Sequence, residues 1–368
     1  MEKILKYQKQ LFFLCIALII GAFVFTLYQG KSHIFRKFDY KTWENKYDKS
    51  QWVIPQSKTE ISDEDLYIYV GSKLVQGYNP TLANVETPPL GKYLIGFSET
   101  IFGNIGIYGI IFSALSLILF FVFNKKLFKT NLLSAVPVLF LAIDPIFREQ
   151  IGVSLLDAQY LCMLLLTFIL VLNRKYLLAA SAIGLFMATK SPFITGVLYV
   201  SIFGFFILKK DFDFKKYMLM PVITLLVYSL IYIKFFLLGH SYLDFLRVQK
   251  FVVHFYQTGV SAPKGAVFPL LLSGYWFTWF NKNGFVKDWS ILWPISFGLS
   301  LLAGFKLWRE KKIPDELLLP GIWLIFYFIF LIFVPVFSRY LLLALPFMYN
   351  FGIWVLLKTV KPLRLLSS

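Results

Sequence analysis

Long apolar runs recur along the chain, and the polar residues between them fall into two kinds of gap. Some gaps are short and basic: NKKLFK after residue 123, NRK after 172, KKDFDFKK after 208. Others are long, aromatic and acidic. A run of about 18–20 apolar residues crosses ~30 Å of hydrocarbon as a helix. The pattern therefore predicts an all-α, polytopic membrane protein. A transmembrane β-barrel would show shorter, alternating segments instead. About ten spans are expected, at 11–28, 105–123, 131–147, 153–172, 176–190, 192–208, 217–238, 289–306, 317–336 and 340–357.

Loop charge orients these spans, because cytoplasmic turns collect Lys and Arg. With both termini inside, every turn predicted to be cytoplasmic is short and basic. Two large loops, 29–104 and 239–288, then lie outside, the first expected to carry interfacial helices. The whole of 1–368 reads as a single transmembrane domain. MEKILKYQK followed by LFFLCIALIIGAFVFTLY resembles a signal peptide. Its apolar run is too long and no small-residue cleavage site follows, so a retained anchor is expected.

Composition agrees. The chain is 58% hydrophobic and 15% charged, against roughly 25% charge in soluble domains. A net charge of +17 would suit nucleic acid, but the basic residues sit at the ends of apolar runs, as membrane topology requires. No nucleic-acid partner is expected. Cys15 and Cys162 fall inside apolar segments and read as small hydrophobes. No phosphate loop, Cys/His zinc cluster or nucleophile elbow occurs.

The chemistry-bearing residues gather in the outer gaps and at helix mouths, where an ionised group needs a partner or a task. Ser62-Asp63-Glu64-Asp65 reads first as a helix start, with Ser62 as N-cap and Asp65 closing a capping box. Asp63 also shares a helical face with apolar Tyr67, Val70 and Leu74. A carboxylate heading an apolar face suits a base or a metal ligand. In VETPPLGK, Pro88-Pro89 forces an extended approach and then a helix start, holding Glu86 just ahead of the amphipathic LGKYLIGFSETIFG. That segment suits an interfacial helix.

These elements resemble the dolichyl-phosphate-mannose protein mannosyltransferases and the related lipid A aminoarabinose transferases of GT-C fold. Three further landmarks extend the resemblance: Leu155-Leu156-Asp157 in GVSLLDAQYL, Lys190 after a small-residue run in GLFMATKSPF, and Arg339-Tyr340 in SRYLLLALPF. It is close over roughly residues 1–200 and looser beyond. Thr87 stands where the mannosyltransferases have His before Pro-Pro, and Gly152 where they often have Arg. The resemblance implies a glycosyltransferase whose donor is a sugar on a polyprenyl phosphate, with protein, lipid or glycan as acceptor.

Such chemistry needs a base for the acceptor hydroxyl and cations for the departing phosphate. Asp63 is the expected base, oriented by Glu64. Asp157 supports the acceptor or the other carboxylate. Lys190 and Arg339 hold phosphate, with Tyr340 beside them. Glu86 positions substrate or, with Asp63, binds a divalent cation, the one metal the sequence leaves open. Direct displacement inverts the anomeric centre. A polytopic transporter or lipid flippase is the alternative, but transporters carry charges near the midplane on repeated, broken helices.

Lesser signals remain. His33, His240 and His254 lack metal-ligand spacing. Tyr275, Trp276, Trp279 and Phe280 suit an interfacial aromatic belt better than a sugar platform. Asp144 and Arg148 are placed to pair at a span end.

Overall fold

The computed structural model describes residues 2–210, 213–258, 263–277, 283–310 and 313–359. Helix α1 (Glu2–Gln29) leads into the first large loop, which is itself helical: α2 (Lys31–Ile34), α3 (Tyr40–Asp48), α4 (Asp63–Val75) and α5 (Leu90–Phe102). A bundle follows, formed by α6 (Ile107–Phe128), α7 (Asn131–Ile143), the short α8 (Pro145–Glu149), α9 (Asp157–Leu172), α10 (Tyr176–Thr189), α11 (Pro192–Lys209) and α12 (Phe214–Ile231). After the short α13 (Ile233–Leu237), the second large loop holds α14 (Tyr242–Thr258) and α15 (Val267–Ser273). It also carries a short antiparallel ladder, Tyr275 with Phe285 and Trp276 with Gly284, a small exception to the all-α expectation. Helices α16 (Leu292–Trp308) and α17 (Asp315–Phe333), a 3-10 turn at Ser338–Leu343, and α18 (Leu345–Thr359) complete the order.

The chain is an integral membrane protein. Among the described residues, five helices are long and apolar enough to cross a membrane: α1, from Tyr7 onward, with α6, α11, α12 and α17. Shorter apolar helices α7, α9, α10 and α16 lie among them. Each of the ten segments read from hydropathy contains a helix, but three depart from their expected limits. The third breaks at Asp144, whose carboxylate accepts from the Ile146 N–H at 3.0 Å and so starts α8 afresh. The ninth stops at Phe333, because Pro335 pushes Val334 into extended conformation. The seventh ends early, at Ile231, and continues as α13.

Helix α9 is apolar around its whole circumference and is accordingly the buried centre of the bundle. Leu161, Leu164, Leu165 and Phe168 are fully buried there, with Phe186, Leu198, Trp323 and Phe347 packed in the same core. In lipid such packing is held by close contact between side chains rather than by exclusion of water. The outward faces remain apolar, as Phe13, Leu18 and Val24 on α1 show.

A second core ties the first loop to the bundle, through Trp43, Leu66, Tyr67, Val70, Ile95 and Leu156. Its tightest point joins α4 to α5, where a Cβ on Gly96 would lie 2.3 Å from the Gly71 carbonyl oxygen. Any side chain there would push the helices apart. Helix α5 buries Gly91, Lys92, Ile95 and Gly96 on this side and exposes Phe97, Ile101 and Phe102 on the other. That two-sided character agrees with the amphipathic reading of the segment.

Candidate active site

Three helix ends and a 3-10 turn converge at one end of the bundle, and each brings a charge suited to its position. Asp63 is the first residue of α4, after Ser62, whose hydroxyl accepts from the Asp65 N–H at 3.1 Å. Asp157 opens α9. Carboxylates at helix N-termini are stabilised by the exposed N–H groups and the helix dipole. Lys190 caps the C-terminus of α10, the end that favours a cation, and Pro192 restarts the chain as α11. Arg339 and Tyr340 lie on the 3-10 turn between α17 and α18.

The four ionised side chains form one string. Arg339 Nη2 donates to Asp63 Oδ2. Arg339 Nε lies 3.9 Å from Asp157 Oδ2. Lys190 Nζ donates to Asp157 Oδ1 and sits over the Tyr340 ring, 5.0 Å from its centroid. Asp157 is 5% exposed, so its two cations are needed to hold a charge there. Buried Arg339 Nε has no hydrogen-bond partner among the described residues. Two acids and two bases balance, yet both bases retain reach toward a further anion.

Beneath this string lies a cavity of about 230 Å³. Asp157, Lys190, Ser191 and Tyr340 form its polar end, with Tyr160, Tyr256 and Tyr327 around them. Phe193, Ile194, Phe330, Val334 and Pro335 continue it as an apolar cleft between α11 and α17. Hydrogen bonds fix the walls: Tyr327 donates to the Tyr340 carbonyl at 2.8 Å, and Tyr160 to the Ser191 carbonyl at 3.2 Å. The arrangement can hold an anionic headgroup at a charged rim with an apolar tail running down between helices.

The structure brings together five of the residues the sequence singled out: Asp63, Asp157, Lys190, Arg339 and Tyr340. Glu64 is engaged elsewhere. Its carboxylate bonds to His33 Nε2 at 3.0 Å, Arg36 Nη2 at 3.0 Å and the Ser154 N–H at 3.3 Å, fastening α4 to the turn before α9. These contacts face α2 and the 154 turn. Glu86 is 6% exposed and accepts from the Asn84 side-chain amide. Burial holds its carboxyl above the usual range; the Lys92 charge opposes this, and the Asp63 charge adds a smaller upward push. Among the described residues, no group of three or more His, Cys, Asp or Glu side chains could hold a metal ion.

Other expectations fare unevenly. Asp144 and Arg148 do not pair. Asp144 accepts from the Trp293 indole at 2.9 Å and the Tyr349 hydroxyl at 2.6 Å, while Arg148 donates to Thr26 and Gln29 on α1. Buried donors won the carboxylate, because an unsatisfied buried indole or hydroxyl costs more than an exposed ion pair yields. Asp65 places its carboxylate 3.0 Å from Lys46 rather than turning back to close a capping box. His240 stacks on Phe235 and bonds to Asn79. Trp276 donates to the Val336 carbonyl at 2.8 Å, bracing the segment before Arg339; Trp279 and Phe280 lie outside the described residues.

Sequence reasoning missed the tyrosine walls. Tyr160 and Tyr327 sit in apolar helices, where an aromatic reads as packing. Tyr256 lies two residues beyond His254, which drew attention for its chemistry but is exposed.

No family model and no curated protein matches the sequence. The fold is similar to crystal structures of ArnT from Cupriavidus metallidurans. The apo structure matches with a TM-score of 0.57 at 15% identity, covering 82% of this chain and 56% of that one. The structure bound to undecaprenyl phosphate matches with a TM-score of 0.60 at 15% identity, covering 94% and 60%. The chain thus spans somewhat over half the length of these structures, and what it shares with them is an ArnT-like polytopic membrane fold.

Proposed function

We propose that this protein is a membrane glycosyltransferase that moves a sugar from a polyprenyl-phosphate donor to a hydroxyl of a protein, lipid or glycan acceptor. The reaction is placed on the extracytoplasmic face, where the acidic loops lie by the positive-inside reading. One observation carries the proposal: a base candidate, a second carboxylate and two cations meet at the head of an apolar cleft. The likeness to a fold seen bound to undecaprenyl phosphate supports the same choice of donor.

In the proposed reaction the donor phosphate lies against Lys190 and Arg339, its tail between α11 and α17. Arg339 shifts from Asp63 toward the phosphate, leaving the Asp63 carboxylate to accept the acceptor's proton. The acceptor oxygen bonds to the anomeric carbon as the bond from that carbon to the phosphate oxygen breaks. The electron pair stays on polyprenyl phosphate, where the two cations stabilise it. The proton rests on Asp63 until solvent removes it. A single in-line displacement inverts the anomeric centre. Asp157 keeps Lys190 and Arg339 aimed, and the Glu86 carbonyl holds Tyr256 of the cavity wall.

The test is direct. Purified protein is incubated with a panel of radiolabelled polyprenyl-phosphate sugars and acceptor-containing membranes, and release of polyprenyl phosphate is followed. Release with one donor, lost in Asp63→Asn, supports the proposal. No release from any donor, with the lipid moved between leaflets of proteoliposomes instead, would establish a flippase.

A further inference from the structure

Lys92 ends the PPLGK signature, and the proposed reaction makes no use of it. Its side chain is 0% exposed, in the first turn of α5. The ammonium donates to the Asn84 carbonyl at 2.7 Å, the Thr87 carbonyl at 2.7 Å and Asn84 Oδ1 at 3.2 Å. Three acceptors match the three N–H bonds of an ammonium. Asn84 takes a left-handed backbone, φ 49°, and its side-chain amide donates to the Glu86 carboxylate. Residues 84–87 are therefore folded around one buried cation, with Glu86 in the same turn as counter-charge.

A buried cation is a costly way to fill space, since an apolar side chain of equal volume often packs as well or better. What the ammonium does and a thioether cannot is draw three oxygens to one point. The turn so formed reaches the site. Tyr256 donates its hydroxyl to the Glu86 carbonyl at 3.4 Å, lines the cavity, and meets Phe193 edge-on with centroids 5.5 Å apart. Gly91, just before Lys92, abuts the other wall. A Cβ there would lie 2.4 Å from Leu156 Cδ2, next to Asp157.

We infer that Lys92 is a positioning residue: by gathering the 84–87 turn it seats Tyr256, and with it the end of α14, against the bound lipid phosphate. This rests on the cavity being the donor site.

The test uses the full chain in detergent, with undecaprenyl phosphate as probe and hydrogen exchange read over residues 251–258. Lys92→Met should weaken lipid binding about tenfold, the size of a lost hydrogen bond or two, and speed exchange in that segment. Lys92→Arg should restore part of both. Tyr256→Phe should produce a similar loss, and the double variant should lose no more than either single one, as expected of residues acting through one contact. Additive losses, or unchanged exchange in Lys92→Met, would overturn the inference. If Lys92→Met does not fold, Asn84→Ala combined with Tyr256→Phe decides by the same criterion. Neither readout depends on turnover. A chain that showed the coupling but transferred no sugar would sink the transferase proposal and leave this one standing.

Discussion

Arg339 and Asp63 lie 276 residues apart in sequence and share a hydrogen-bonded ion pair beside Asp157, which lines the cavity. The pair ties the first loop to the turn before α18, and it presents a choice. The guanidinium is bound to a carboxylate that the proposed chemistry requires to be free. In the proposed reaction a donor phosphate would resolve this by competing for Arg339, so that donor binding itself readies Asp63.

Asp63→Asn separates the two roles. The amide keeps size but cannot accept the proton, so transfer should fall about 10²–10⁴-fold. With its anionic competitor removed, Arg339 should bind undecaprenyl phosphate at least as tightly as before. Isothermal titration beside a transfer assay reads both. Weaker lipid binding in this variant would contradict the competition.

Asp65→Asn is the control on the same turn. The Ser62 cap uses the Asp65 backbone N–H, which the substitution leaves intact. The carboxylate's own partners are Lys46 at 3.0 Å and Arg36 at 3.9 Å. Pairs this near the surface are worth about 0–1 kcal/mol. Transfer should change less than about fivefold. Equal losses at 63 and 65 would reduce the acidic cluster to a helix start.

Lys190→Ala removes one proposed phosphate partner and leaves Asp157 with only the more distant Arg339. A charge-assisted hydrogen bond contributes about 1.5–3 kcal/mol, so lipid-phosphate affinity should drop about 10–10²-fold. Lys190→Arg should recover part of it, since the charge remains and the geometry changes. Unchanged affinity in the alanine variant would remove Lys190 from the site.

Much of this site was legible because its residues break a local rule. Asp157 and Lys190 are charges at the ends of apolar helices, and a charge there stands out against its surroundings. Tyr160 and Tyr327 obey the rule, since tyrosine is at home in an apolar helix, and only the fold shows that they face a cavity. Glu64 lies apart from this group. Its partners His33, Arg36 and Ser154 come from three separate segments, and nothing local in SDED separates a carboxylate that ties loops from one facing a substrate. The apolar segments announced themselves through hydropathy. Their breaks at Asp144 and Val334 depended on one side-chain cap and one proline, details finer than a hydropathy window.

Sidedness is open to labelling. Lys58, in the first loop, and Lys129, between α6 and α7, are both exposed. In a background lacking Cys15 and Cys162, Lys58→Cys should react with an impermeant maleimide on intact cells. Lys129→Cys should react only after permeabilisation. The reverse pattern would invert the topology and move the site to the cytoplasmic face.

The Lys92 turn makes a prediction about pH. Burial pushes the Lys92 ammonium down to about 7, with the Glu86 charge opposing that shift. The unfolded chain holds this proton to about 10.4, the ordinary lysine value. Between roughly 7 and 10 the unfolded state therefore binds more protons than the folded one, and stability rises with pH across that window. Below about 7 both states are protonated and this group contributes no slope. Glu86, raised by burial, acts in the opposite sense at lower pH: the folded state holds its proton above the ordinary carboxylate value, so stability falls as pH rises through that range. Detergent-solubilised protein should then gain melting temperature from pH 7 to pH 9. Lys92→Met should lose that gain while keeping the trend at acid pH. A rise of equal size in both proteins would assign it to other groups and mean that Lys92 keeps its proton across this window.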